Sequence, residues 1–371
     1  MSYPEGNCRF NTYSMKIVHA VYSLEMGGGE ILVGQLCRIQ RSLGHDVAVC
    51  AYATLGAVGE ALRSEGFDVR VMGESPPTET IRRYFRLFKK MKPDVVHCHA
   101  VAPTIQAALS ARLAGVRRVI STRHSVVLPY NMAEEIKYSL SSFACHWVTG
   151  ICEVICDRLR QAPLARAKKV VRVYNGTTPV MRVSAQGLGK DGFTLVFIGR
   201  LAEVKDLGML LRAVALAVPR LPNLKFWVVG DGNVRSHLEV LTAELGIEDR
   251  VRFWGMQMDT APFFSAADAF VMSSVSEGLP MSLLQAMSLG TPAILTDVGG
   301  MGEVLRLVGS GLLVPVGDSE AMADAIVRLA GDEELRAEFS EKALAAYTER
   351  FTLERMNAGY MELYEGGAGT A

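Results

Sequence analysis

The sequence has no run of about 18 consecutive apolar residues, the length a membrane-spanning helix needs. It has no excess charge either, since 39 Lys and Arg balance 39 Asp and Glu. With that neutrality and no DNA- or RNA-binding motif, a nucleic-acid partner is not expected. Cysteine is scarce: the seven present are an odd number and are scattered singly, as at Cys37, Cys50, Cys98 and Cys145. That suits buried thiols in a reducing, cytoplasmic compartment and argues against a disulfide framework. Cys152 and Cys156 stand one helical turn apart and form no CxxC pair, so packing is the expected role. No repeat of solenoid length and no DxD motif stands out, and the glycine-rich loop at Leu24–Glu30 does not match the nicotinamide fingerprint GxGxxG. The first fourteen residues are polar, without the apolar segment of a signal peptide, and read as a loose leader.

What is present is a chain of 371 residues, 49% hydrophobic, enough for two cores of ordinary size. Its neutrality conceals an asymmetry. Residues 1–180 hold 23 Lys and Arg against 14 Asp and Glu, about +9, and the remainder carries the opposite balance. A basic first half suggests an anionic partner there.

Short Val- and Ile-rich runs alternate with helical patterns from end to end. KIVHAVYS (16–23), DVVHCHA (94–100), TLVFIGR (194–200) and AFVMSS (269–274) are examples of the former. After Gly29, Leu32, Leu36, Ile39 and Leu43 recur at helical spacing until Gly44. Strand and helix in regular succession predict parallel sheets covered on both faces, and two such sets predict an α/β protein of two doubly wound, Rossmann-like domains. The expected division is 15–178, 192–350 and a terminal segment 351–371 that packs back across the junction. The break between domains falls in 179–192, which lacks apolar periodicity.

Open parallel sheets bind ligands beyond the carboxyl ends of their strands, so the chemistry belongs in the loops that follow them. Leu24–Glu30, LEMGGGE, lets backbone approach a ligand at a helix N-terminus. In GRLAEVKDL, Arg200 and Lys205 put two cations at a strand–helix junction, where they can neutralise a diphosphate leaving group. The alternative is a pair of solvated surface charges. In SSVSEGLPMSLLQAMSLG (273–290), Glu277 sits in a Gly–Pro turn before a helix, and Gln285 lies about one turn inside it. His97 and His99 share one face of a strand end, but no third ligand stands nearby in sequence, so no metal site is expected. IRRYFRLFKKMK (81–92) interleaves basic and aromatic residues, which suits either an anionic membrane surface or a core-packed helix with a basic outer face.

Together these segments, with LGHDVAV, KPDVVHCHA, VYNGT, VVGDG and GLLVPVGD in the same order, resemble the family-4 retaining glycosyltransferases of GT-B fold. The resemblance runs from Met15 to about Gly317. It implies two domains facing across a cleft and a sugar transferred with retention, without metal or other cofactor, from a nucleotide-diphosphate donor. The acceptor would be a hydroxyl of a glycan, a lipid-linked glycan or a small molecule. It implies catalytic roles for Arg200, Lys205 and Glu277, and for His124 in STRHS, near the reacting sugar. Gly28, Gly29, Gly230, Gly232, Gly278, Leu279, Pro280, Met281, Ser282 and Gln285 would shape the donor site. The family's second glutamate is Gln285 here; glutamine can accept a ribose hydrogen bond but lacks the charge that strengthens it. Two other readings stay open, a nucleotide-sugar epimerase and a non-catalytic nucleotide-sugar binder. The expected location is cytoplasmic, with a peripheral place on the inner face of the cytoplasmic membrane through 81–92.

Overall fold

The computed structural model describes residues 14–125, 131–184 and 187–367. The expected leader therefore lies, except for Ser14, outside the described residues, as do Ala185 and Gln186 of the expected linker.

The first sheet holds β1 (Lys16–Val21), β2 (Asp46–Ala51), β3 (Asp68–Val71), β4 (Val95–His99), β5 (Arg118–Arg123), β6 (Trp147–Gly150) and β7 (Val170–Arg172). The second holds β8 (Thr194–Ile198), β9 (Lys225–Val229), β10 (Val251–Gly255), β11 (Ala269–Met272), β12 (Ala293–Thr296) and β13 (Gly311–Val314). Their spatial orders are β3-β2-β1-β4-β5-β6-β7 and β10-β9-β8-β11-β12-β13, with neighbours parallel. Every residue of β4 and of β8 is buried, the pattern of strands covered on both faces. The connecting helices bury one stripe each; Gly28–Ser42 turns Leu32, Val33, Leu36 and Cys37 inward.

In each sheet the strand order reverses once, between β1 and β4 and between β8 and β11. Such a reversal opens a crevice at the carboxyl ends of the two strands. These two crevices are where the Gly-rich loop and the Arg200–Glu277 group emerge.

The chain passes between the sheets twice, and the two passages run side by side. Thr177 and Thr352 form a parallel bridge. The Thr177 amide donates to the Phe351 carbonyl (3.1 Å), and the Leu353 amide donates to the Thr177 carbonyl (3.0 Å). After the second passage, the helix Leu353–Glu365 returns to the first sheet and buries Met356, Tyr360, Leu363 and Tyr364 with Ile17, Leu36, Val95 and Ile120.

Segment 81–92 resolves into the end of the helix Pro77–Met91, whose Tyr84, Phe88 and Met91 are buried while Arg82, Arg86, Lys89 and Lys90 are exposed. Its large apolar side chains thus face the core, and only the basic face is free. The exposed apolar residues lie on neighbours instead. The helix Val101–Ala114 packs against both Pro77–Met91 and Met132–Ser142, and Leu109, Leu113, Ile136 and Leu140 on these two neighbours are exposed.

Candidate active site

Arg200 and Lys205 follow β8, and Glu277 follows β11, so all three emerge at the reversal point of the second sheet. The Lys205 ammonium is paired with the Glu277 carboxylate, both side chains being largely shielded from solvent. Backbone contacts fix this pair. Ser273 Oγ donates to the carbonyls of Lys205 (2.8 Å) and Asp206 (2.9 Å), and the Val275 amide donates to the Val204 carbonyl (2.9 Å). Asp206 itself sits at φ 44°, a region that disfavours ordinary residues, and its carboxylate caps the helix Leu207–Ala217 by accepting from the Met209 amide. The loop holding Lys205 is therefore tied at several points to the loop holding Glu277. Arg200 is exposed and faces the Gly-rich loop, near enough to Glu30 to favour that residue's ionised form. Burial outweighs this and raises the Glu30 carboxyl above its ordinary value.

Glycines allow the loops to approach. At Gly230 (φ 131°) a Cβ would strike the Gly199 carbonyl, and at Gly232 it would strike the Leu201 carbonyl. These two glycines thus bring the turn after β9 onto the segment that carries Arg200. Gly278 has the same relation to the first domain, where a side chain would collide with the His124 carbonyl. Gly299, at φ 50°, has the Glu277 carbonyl where a Cβ would be. Gly28 faces Met281 across the domain junction, Gly29 has open space around its Cα, and Asn175 Nδ2 donates to the Leu279 carbonyl (2.9 Å). Pro280 stands at the N-terminal boundary of the helix Met281–Ser288, which carries Ser282 and a half-buried Gln285 on its first two turns. The structure thus brings Gly28, Met281, Gly278 and His124 together at one seam, with Lys205 and Glu277 beside it.

Three buried histidines and the half-buried His124 form a group beneath this seam. The sequence reading found no third partner for His97 and His99; the structure supplies His19. Parallel pairing of β1 with β4 sets His19 directly opposite His97, although 78 residues separate them in the chain. One nitrogen of each of His19, His97 and His99 lies within 4.8 Å of the others, a spacing a metal ion could bridge. Every one of their ring nitrogens, however, already has a hydrogen-bond partner. His97 meets the Tyr364 hydroxyl (2.7 Å) and Thr122 Oγ1 (2.6 Å). His19 meets Gln40 Oε1 (2.8 Å) and His99 (2.9 Å), and His99 reaches His124 (3.1 Å). A metal would have to displace these bonds, and no carboxylate completes the group. Desolvation pushes His19 and His124 down to about 4, and His97 and His99 well below their ordinary value, so all four are neutral near pH 7.

Two carboxylates escaped the sequence reading. Glu30 closes the Gly-rich loop, and its being the acid nearest the three glycines was the available signal. Glu303, on the helix Gly299–Val308, accepts from the amides of Glu153 (2.7 Å) and Val154 (3.2 Å) and from the Tyr174 hydroxyl (2.7 Å). It caps a first-domain helix from the second domain, a long-range contact that leaves no local pattern.

Comparison with known proteins agrees with this architecture. The model for Glycosyltransferase Family 4 matches residues 26–179, and that for Glycosyl transferases group 1 matches residues 183–345. Between them they take in nearly all of both sheets.

The chain belongs to the GT-B glycosyltransferases.

This glycosyltransferase is 35% identical, over 56% of its length, to the lipopolysaccharide core biosynthesis glycosyltransferase LpsE of Rhizobium meliloti. It is 36% identical over 60% of its length to LpsD of the same organism. It spans 61% and 66% of those relatives' own lengths. Among solved structures, HepE of Anabaena in complex with UDP shares the fold with a TM-score of 0.84 at 21% identity, covering 95% of this chain and all of that one.

Proposed function

We propose that this glycosyltransferase moves a sugar from a nucleotide-diphosphate donor to a hydroxyl of a lipid-borne glycan, with retention of configuration and without a divalent metal. The observation that carries the reading is the clustering of Arg200, Lys205 and Glu277 at one sheet's reversal point, opposite the Gly-rich loop at the other's. In this reading Arg200 and Lys205 hold the diphosphate, and Glu277 borders the transferred sugar. Gly28 and Gly29 leave room for the diphosphate, and Gly230 and Gly232 shape the nucleotide pocket. The sequence offers no nucleophile paired with a base, as a covalent intermediate would require. Front-face attack follows, with the departing phosphate taking the acceptor's proton while two cations stabilise its charge. That HepE was crystallised with UDP supports a uridine donor, and LpsE and LpsD support a lipopolysaccharide-type acceptor.

Ligand-observed NMR against a panel of nucleotide sugars tests the donor site. One donor should bind the parent and lose binding in the Arg200→Ala/Lys205→Ala variant; equal binding by both would overturn the site. Gln285→Glu should tighten that donor by about threefold to tenfold, because a charged acceptor strengthens a ribose hydrogen bond. Product analysis in the presence of chelator then decides among classes: a new glycoside marks a transferase, a new nucleotide sugar an epimerase, neither a binder.

The acceptor class motivates a place at a membrane surface. No described helix is long and apolar enough to cross a membrane. The exposed Arg82, Arg86, Lys89 and Lys90 beside exposed Leu109, Leu113, Ile136 and Leu140 combine the charge and apolar area that interfacial binding uses. The protein should sediment with phosphatidylglycerol vesicles and remain free of phosphatidylcholine vesicles. A variant with the four cations replaced by glutamine should lose sedimentation, and failure of the parent to sediment would remove this part of the reading.

A further inference from the structure

The family resemblance puts His124 near the reacting sugar, and the mechanism above assigns nothing to the three histidines and the glutamine behind it. We infer that Gln40, His19 and His99 are positioning residues whose hydrogen-bond chain fixes which nitrogen of His124 carries the proton. Gln40 is fully buried on the helix that begins at the Gly-rich loop, and its Oε1 faces His19 Nε2 at 2.8 Å. A carbonyl oxygen can only accept, so His19 Nε2 carries a proton and His19 Nδ1 is bare. That bare nitrogen lies 2.9 Å from His99 Nε2, which must therefore donate, leaving His99 Nδ1 bare. His99 Nδ1 in turn lies 3.1 Å from His124 Nε2, which must donate to it. All three rings are thereby set as Nε2–H tautomers. The end of the chain is His124 Nδ1, a bare acceptor that is buried and has no partner among the described residues.

A buried acceptor without a partner is costly unless something supplies a donor. His124 hangs from the segment whose carbonyl lies against Gly278, the residue after Glu277. A hydroxyl donating to Nδ1 would satisfy it, whereas a phosphate oxygen, which only accepts, would not. The geometry is held at the far end as well. Ala100, directly after His99, has φ 71° and ψ −177°, a conformation almost confined to glycine. It is kept there by its amide donating to the Thr122 carbonyl (2.8 Å) and its carbonyl accepting from Thr104 Oγ1 (2.7 Å).

This inference rests on the proposed transfer for its purpose but not for its test. Long-range proton–nitrogen NMR of the uniformly 15N-labelled full chain reads each imidazole tautomer, with His124 assigned by comparison with His124→Gln. His19, His99 and His124 should all show a protonated Nε2. A protonated Nδ1 at His124 in the parent would overturn the inference whether or not transfer is ever seen. Gln40→Met, which keeps the length but removes the acceptor, should give His124 mixed tautomers and lower kcat/KM about tenfold. Gln40→Glu, again only an acceptor when ionised, should restore the single tautomer and most of the activity. An unchanged His124 signal in Gln40→Met would also overturn the chain. Should that variant not fold, the parent spectrum alone decides its direction. Correct tautomers with no transfer to any acceptor would leave the chain standing and remove the proposed function.

Discussion

Replacing Lys205 with alanine is expected to lower kcat by about 10²–10³-fold, with circular dichroism unchanged. The magnitude is that of removing one preorganised electrostatic stabiliser from a developing charge, about 3–4 kcal/mol. The direction follows from how Lys205 is held. Its ammonium is paired with Glu277, and Ser273 fixes its backbone through two carbonyls at once. Asp206 holds the next turn in a strained conformation. A flexible surface lysine would spend its charge on water, whereas one tied down in this way would meet the proposed leaving group already oriented. When a diphosphate enters, Lys205 exchanges one anionic partner for another, so little of the diphosphate's attraction is consumed in desolvating a free cation. Lys205→Arg should recover only part of the rate, because a planar fork cannot reproduce a compact charge at the same point. A Lys205→Ala enzyme retaining more than about a tenth of parental kcat would show that Lys205 is not the diphosphate's partner.

A second large effect concerns stability. Between pH 6.5 and pH 5 the protein should lose about 3 kcal/mol of unfolding free energy through His19 and His124, about 1.5 for each, and His97 and His99 act in the same direction. Each has a folded-state value below the ordinary 6.5, about 4 for His19 and His124 and well below the ordinary value for His97 and His99, because burial penalises the charged ring. In that window the unfolded chain binds protons that the folded chain refuses, so acid draws the equilibrium toward unfolding. About one pH unit above 6.5 both states are neutral at these positions and the contribution is complete. A loss of this size is a large fraction of the whole stability of many domains. Urea unfolding midpoints measured across this range should fall steeply below pH 6, and His19→Asn should flatten part of the slope. A midpoint constant from pH 6.5 to 5 would mean that the cluster takes up protons while folded.

Much of the architecture was legible because it is written locally. β8 reads TLVFI and is buried throughout, so a strand covered on both sides shows as an unbroken apolar run. That Gly28, Arg200 and Glu277 lie in loops after strands was legible for the same reason, since each loop is announced by such a run. What escaped was set by pairing between distant segments. Nothing near His97 announces His19, because only the register of β1 on β4 brings them together. Glu303 is equally silent in sequence, since its partners at Glu153 and Val154 lie about 150 residues away. The basic helix was ambiguous for a further reason. Tyr84 and Phe88 have the same spacing whether they enter a core or a bilayer, and only the burial of both decides.

The returning helix Leu353–Glu365 has a consequence for how the polypeptide is made. Tyr364 closes on His97 across 267 residues, and Tyr360 and Leu363 fill space beside Ile17 and Val95. The domain that leaves the ribosome first is therefore the one completed last. Until the helix Leu353–Glu365 emerges, an apolar face around Ile17, Leu36 and Ile120 stays open to other nascent chains. The second sheet, whose strands lie between Thr194 and Val314, is synthesised whole while its elder partner waits.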